Sequence, residues 1–146
     1  MLAFSIQGVN VKDFMQHLFV QDSFCRLEVR GIVLHSFTHF EISGEKDGGA
    51  HCIWEELRPY VRHILKGRDK PKAMKLIFAQ PEPESFHPNA AALFINIAYE
   101  GADEGKITCT TATAQKQFDM DKSLDRAWDG WVAEFFKQHD ITMTLV

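Results

Sequence analysis

The chain has 146 residues, 45% apolar and 25% charged, with 16 Lys and Arg against 20 Asp and Glu. These values suit one globular domain and exclude a fibrous or disordered chain, and the net charge of −4 gives no global attraction to nucleic acid or to an anionic membrane. Three cysteines, Cys25, Cys52 and Cys109, are too few and too odd in number for a disulfide framework and suit a reducing compartment.

Residues 2–6 read as a short strand. A first helix follows, with Asn10 as N-cap, Val9 and Phe14 placed for a hydrophobic staple, and Val11, Phe14, Met15 and Leu18 on one face. Residues 24–43 are rich in β-branched and aromatic side chains and are expected to form two strands with an unmarked turn, Gly31 serving as a bulge or bend. Residues 44–49 are a loop. A second helix is expected over 52–66, its apolar arc made of Ile53, Trp54, Leu57, Tyr60, Val61, Ile64 and Leu65, with Gly67 as its stop and Pro59 on its polar side.

Residues 73–80 form a strand and 81–89 a proline-rich structured loop. A hairpin follows, with strands 92–100 and 106–113 about a turn at 101–105; Leu93, Ile95, Ile97 and Tyr99 share one face. Asp121 caps a third helix running to Gln138, its buried stripe being Leu124, Trp128, Trp131 and Phe135. A last strand covers 141–146.

The order β-α-β-β-α-β, then β-β-α-β, predicts an α+β fold with a mostly antiparallel sheet of about 6–7 strands and three helices on one face. The chain is read as one domain, 1–146. The 0, 3, 7 spacing of Trp54, Leu57 and Val61 recurs in Trp128, Trp131 and Phe135. Either a ββαβ unit is duplicated, or both helices are simply amphipathic.

Seven histidines raise the question of a metal. His35 and His39, on one strand, would lie roughly 13 Å apart at about 3.3 Å per residue, too far for one ion, and no metal motif occurs; neither metal nor cofactor is expected. Cys52 at a helix start could be a nucleophile, because a helix N-terminus favours the thiolate. Asp121, Asp125 and Asp129 form a row on the third helix, and Asp125, falling between Val132 and Phe136, could serve as an acid or base. Early aspartates also simply complement the helix dipole. The hydroxyl-rich strand 108–113, with Thr108 and Thr110 on one face and Thr111 and Thr113 following, could line a polar pocket; threonine is also simply a good strand residue. No site is assigned as catalytic.

The most distinctive charge feature is basic. Arg58, Arg62 and Lys66 share one ridge of the second helix, and Arg68, Lys70, Lys72 and Lys75 follow with only Asp69 opposing. An anion or nucleic-acid backbone could dock there, though no phosphate loop or interleaved aromatics accompany the cluster. Phe19, Val20 and Phe136 are expected to lie outside the core, as a homodimer surface or a satellite cluster.

Several segments together resemble a known family: "NVKDF" at 10–14, "WEELRP" at 54–59, "LKGRDKP" at 65–71, "KLIF" at 75–78, "LFINIAY" at 93–99, "TCTT" at 108–111 and "DKSLDRAWD" at 121–129. It is a family of uncharacterised proteins from Gram-positive bacteria, defined as a domain of unknown function. The resemblance implies one compact intracellular domain, with no activity, cofactor or catalytic residue attached. The chain departs from the family's pattern at Ala112 and Ala114, where relatives tend to read Gly and Ser.

The N-terminus lacks a signal-like block and the longest nearly apolar stretch, 90–99, is too short to span a bilayer. The expectation is therefore a soluble bacterial cytoplasmic protein without a membrane partner. Its leading reading is a non-catalytic binding or interaction module with a protein or anionic partner. The alternatives are anion or nucleic-acid binding through 58–75, and an enzyme using Asp125 or Cys52.

Overall fold

A computed structural model describes residues 1–66, 71–101 and 105–146. Seven strands form one sheet: β1 Ala3–Gln7, β2 Glu28–His35, β3 His39–Ile42, β4 Ala73–Ala79, β5 Ala90–Glu100, β6 Lys106–Gln115 and β7 Thr144–Leu145. Their order is β3-β2-β4-β5-β6-β1-β7, and every neighbouring pair is antiparallel. The helices are α1 Val9–Phe19, α2 Trp54–Leu65, α3 Pro83–Phe86 and α4 Ser123–Gln138. The α+β class and the antiparallel sheet match the sequence reading. The fourth helix is the single turn α3, inside the proline-rich loop.

Strand alternation sorts the side chains onto two faces. One cross-strand row runs Ile42, Ile32, Leu76, Ile97, Cys109, Phe4, and the row beside it Leu34, Met74, Tyr99, Ile107, Ile6. Apart from half-buried Ile42, these residues are buried, and the helices cover them. The opposite face reads Val33, Lys75, Ala98, Thr108, Ser5 in one row and Gly31, Ile77, Asn96, Thr110, Ala3 in the next. The pairing shift between Val29 and Gly31 is the bulge anticipated at Gly31.

The core is aromatic. Phe24, in the loop before β2, lies 5.5 Å from Phe78 and 5.6 Å from Phe14. Trp54 is fully buried, donates its indole N–H to the Leu18 carbonyl at 2.6 Å, and stands edge-on to Phe19 and Phe78. Trp128 is equally buried, donates to the Phe94 carbonyl at 3.0 Å, and stacks on Trp131 at 5.0 Å. A buried Tyr or Trp ordinarily finds such a partner for its polar atom.

Several local expectations are corrected. The first helix begins one residue before Asn10; Gly8, at φ 64°, is its N-cap, and Val9 is 89% exposed, so no staple forms. The second helix starts at Trp54, and the Glu56 carboxylate accepts the Ile53 N–H at 3.0 Å, which makes half of a capping box. Tyr60 faces solvent, while Pro59 sits inside the helix on its exposed side. In α4 the buried ridge is Leu124, Trp128, Val132 and Phe136; Trp131 and Phe135 pack half-buried on its flank in a ladder of stacked rings. Phe136 therefore belongs to the core rather than to an outer surface; Phe19 leans on Trp54, and Val20 is exposed. The last strand shrinks to two residues. Gly67 lies outside the described residues.

The strand order does not carry the suspected repeat. In the first ββαβ stretch, β4 pairs with β2. In the second, β7 pairs with β1, which stands between it and β6.

Candidate functional site

The basic residues of α2 border an open cavity of about 690 Å³ lined by Phe19, Glu55, Arg58, Arg62, His63 and Lys66, among others. Arg58 is not available there as a free cation. Its guanidinium donates to the Gln21 carbonyl at 2.5 Å and lies 3.7 Å from the Asp22 carboxylate, so it pins the loop after α1 onto α2. Arg62 and Lys66 are exposed and, among the described residues, carry no ion pair. Lys72 is exposed just before β4 and donates its backbone N–H to the His35 carbonyl. Lys75 points out of the opposite, uncovered sheet face, because strand alternation turns it away from buried Met74 and Leu76. Arg68 and Lys70 lie outside the described residues.

That uncovered face holds a second depression, of about 370 Å³, lined by Lys75, Ile77, Asn96, Ala98, Thr108 and Thr110 together with Ile97. Thr108 and Thr110 share this lining with Ile77, Ile97 and Ala98, so the depression is more apolar than polar, and Lys75 is the one charged group among its described lining residues.

The two histidines of the metal question do meet. The strand ends at His35 and the chain turns back at 36–38, so His35 pairs directly with His39 across β2 and β3. Their rings are 5.6 Å apart, and His39 Nε2 lies 3.0 Å from the Glu41 carboxylate. The 13 Å spacing fails because it assumed one unbroken strand. Among the described residues no group of three or more His, Cys, Asp or Glu side chains is placed to hold a metal ion.

The row on α4 has a structural use. Thr111 and Thr113 of β6 face the helices and donate their hydroxyls to Asp129, at 2.5 Å, and to Asp125. Thr111 also accepts the Leu2 N–H at 2.9 Å. The N-cap of α4 is Lys122 rather than the expected Asp121, one residue earlier, whose carboxylate accepts the Ser123 N–H at 3.0 Å. Asp125 and Asp129 therefore lace α4 to β6. Sequence reading singled out the hydroxyl-rich strand but missed the bonds of Thr111 and Thr113 to α4; the signal was present, since a buried Thr in β6 needs a partner and the 125, 129 spacing matches alternate strand positions.

Buried His17 was also missed. Its Nδ1 lies 2.8 Å from the Ser23 hydroxyl, and its Nε2 is 3.7 Å from Asp13. This ties the end of α1 to the loop behind it.

Cys52 is half-buried in a strap rather than in a helix: its N–H donates to the Gly44 carbonyl and its carbonyl accepts from Val29. Cys109 sits in the core, and burial pushes its thiol from 9.0 up to about 12. Burial likewise raises Cys25 and Tyr99. The unfolded chain releases these protons at lower pH than the folded one, so the associated stability is intact below about pH 9 and falls as pH rises toward 12. The Cys109 contribution has a limiting slope of about 1.4 kcal/mol per pH unit. Urea titrations at pH 8 and pH 10.5 are expected to show this loss, reduced in Cys109→Ala relative to its own pH 8 value; a flat profile contradicts it. At pH 8 a thiol reagent should modify native Cys52 and spare Cys25 and Cys109 until the protein unfolds.

The family model described as a family of unknown function (DUF5721) matches residues 12–144. The chain belongs to this family. No curated protein and no solved structure matches this DUF5721 member. The match spans all four helices except the first turn of α1, and every strand except β1 and the last residue of β7, so the site residues discussed above fall inside it. Among the described residues no helix is long and apolar enough to cross a membrane.

Proposed function

We propose that this DUF5721 protein is a non-catalytic cytoplasmic binding or interaction domain that works through the uncovered face of its sheet. The observation that carries this reading is the one-sided architecture. The helices pack on the rows through Leu76 and Tyr99, and the opposite rows present Gly31, Ala3, Ala98, Ser5, Thr108, Thr110 and Asn96 beside Val33, Ile77 and Lys75. Small side chains let a partner's surface approach the backbone closely, while hydroxyl, amide and ammonium groups supply direction. Asp125, the carboxylate considered for catalysis, is held by the Thr113 hydroxyl, and Cys52 lies in a strap rather than at a helix N-terminus that would favour its thiolate. A cytoplasmic setting is supported by the cysteine usage.

The test combines two measurements. Purified protein should show no turnover on a broad hydrolase substrate panel; turnover lost in Asp125→Asn or Cys52→Ala overturns the reading. A photo-crosslinking residue at position 108 should join one discrete partner in cells, and Ala98→Arg should abolish that product while changing stability by less than about 0.5 kcal/mol. The same crosslinker at Glu134, on the exposed side of α4, should give none. Equal products from both positions, or none from either, contradict the sheet-face assignment.

A second reading is favoured by Arg62 and Lys66, which among the described residues carry no ion pair at the α2 cavity, with Lys72 exposed nearby in sequence. This reading takes an anion or a nucleic-acid backbone there. Binding to a short DNA duplex should then fall steeply with salt and weaken in Arg62→Ala/Lys72→Ala. Binding unmoved by either removes this reading.

A further inference from the structure

A third cavity lies on the helix side of the sheet and is of a different kind. Its volume is about 420 Å³, and its walls are Val11, Met15 and Phe19 of α1, Leu65 of α2, Pro71, and Met74 and Tyr99 on the sheet, with Gly8 and Lys12 at one end. Cavities that bind small molecules run from roughly 300 to 1,000 Å³ and are mostly apolar with a few placed polar groups. Among its described lining residues only Lys12 and Tyr99 carry a polar side-chain group.

Tyr99 is 4% exposed, yet among the described residues its hydroxyl makes no hydrogen bond. No fully buried side-chain nitrogen or oxygen lacks a partner among those residues, so the hydroxyl oxygen itself is not fully buried. A Tyr buried to this degree normally satisfies its O–H. Glycines make room for it: a Cβ at Gly101 or Gly105 would stand 3.4 Å from its oxygen. Gln7 pairs with Lys106, so Gly8 lies level with Gly105, and the hydroxyl and the start of α1 occupy the same end of the sheet.

That start of α1 has no side-chain cap and no acidic residue in its first turn. Its free N–H groups and dipole favour an anion, and Lys12, which forms no ion pair among the described residues, adds a full positive charge. Among the described residues, the rest of the lining is apolar: Val11, Met15, Phe19, Leu65, Pro71 and Met74.

We propose that this cavity binds a small amphipathic carboxylate, its apolar body among Met15, Phe19, Leu65 and Met74 and its acidic head between Lys12, the start of α1 and the Tyr99 hydroxyl. The site is independent of the sheet-face reading, which concerns the other side of the molecule, and either can fail alone.

Octanoate and octan-1-ol, matched in chain length and differing in charge, are the probes, titrated calorimetrically into the full chain. Octanoate should bind saturably, one per chain, with a dissociation constant below about 1 mM, and octanol at least fivefold more weakly. Lys12→Glu, an exposed change, should weaken octanoate at least fivefold and leave octanol within twofold. Tyr99→Phe, which removes no bond within the described protein, should weaken octanoate severalfold at unchanged stability. Met15→Trp should fill the cavity and abolish both; if that variant does not fold, the first two carry the test. No saturable octanoate binding, or binding as tight in Lys12→Glu and Tyr99→Phe as in the parent, overturns the proposal.

Discussion

Trp128→Ala is expected to destabilise the domain by about 3–5 kcal/mol, a large share of the roughly 5–15 kcal/mol that holds a domain together. The indole is fully buried, stacks on Trp131, meets Phe86 edge-on at 5.7 Å, and donates to the Phe94 carbonyl. Truncation opens a cavity that flanking strands cannot close, because Phe94 and its neighbours are held in the β4–β5–β6 ladder. It also leaves the Phe94 carbonyl without its indole donor. Trp128→Phe keeps most of the apolar contact and removes the donor, so it should lose about 1–3 kcal/mol. Urea midpoints at constant m measure both. A loss below about 1.5 kcal/mol for Trp128→Ala would mean that α4 is not the clamp over this half of the sheet.

The second large effect concerns a backbone position. Gly44 has φ +77°, and a Cβ there would lie 2.3 Å from the Val29 carbonyl oxygen. The obstacle is backbone near the start of β2, so it cannot turn aside as a side chain would. The Gly44 carbonyl also accepts the Cys52 N–H at 2.7 Å, and the Cys52 carbonyl accepts the Val29 N–H at 2.7 Å, so displacing Gly44 unlaces the strap that delivers the chain into α2. Gly44→Ala should lose about 2–4 kcal/mol, the left-handed backbone accounting for roughly 1–2 of it. Gly48 is the control. It has φ +88° and open space around its Cβ position, so Gly48→Ala should lose only the backbone part. Equal losses at the two positions would show that the Val29 contact has no energetic weight.

Legibility differed by kind of feature. Periodicity located Trp54, Trp128, Leu93, Ile95 and Ile97 in the core, because apolar spacing is a property of each element alone. It erred on α4 by one ridge, choosing Trp131 and Phe135 over Val132 and Phe136. An arc of large residues is wider than the line of contact, and only the partner sheet selects which ridge meets it. The N-cap at Asn10 failed for a related reason: Gly8 already turned the chain, so the helix began before the better capping side chain. For the candidate site, Thr108 and Thr110 were legible as a shared face. The basic row on α2 was legible as a row, whereas the tether of Arg58 to Gln21 and Asp22 was not, since that loop reaches it across 37 positions of sequence.

By itself the sequence determined the elements, the α+β class and the absence of any strong catalytic motif, because propensity, alternation and turn chemistry act over a few residues. The tertiary structure alone decided that His35 and His39 touch, that Thr111 and Thr113 hold Asp129 and Asp125, that one sheet face is left uncovered among the described residues, and that Tyr99 lines a cavity with Gly8 and Lys12 of the start of α1. Each of these depends on strand order and register. Those are set by how the helices bury their apolar ridges on the sheet, through contacts between residues far apart in the chain whose pairing no local pattern encodes.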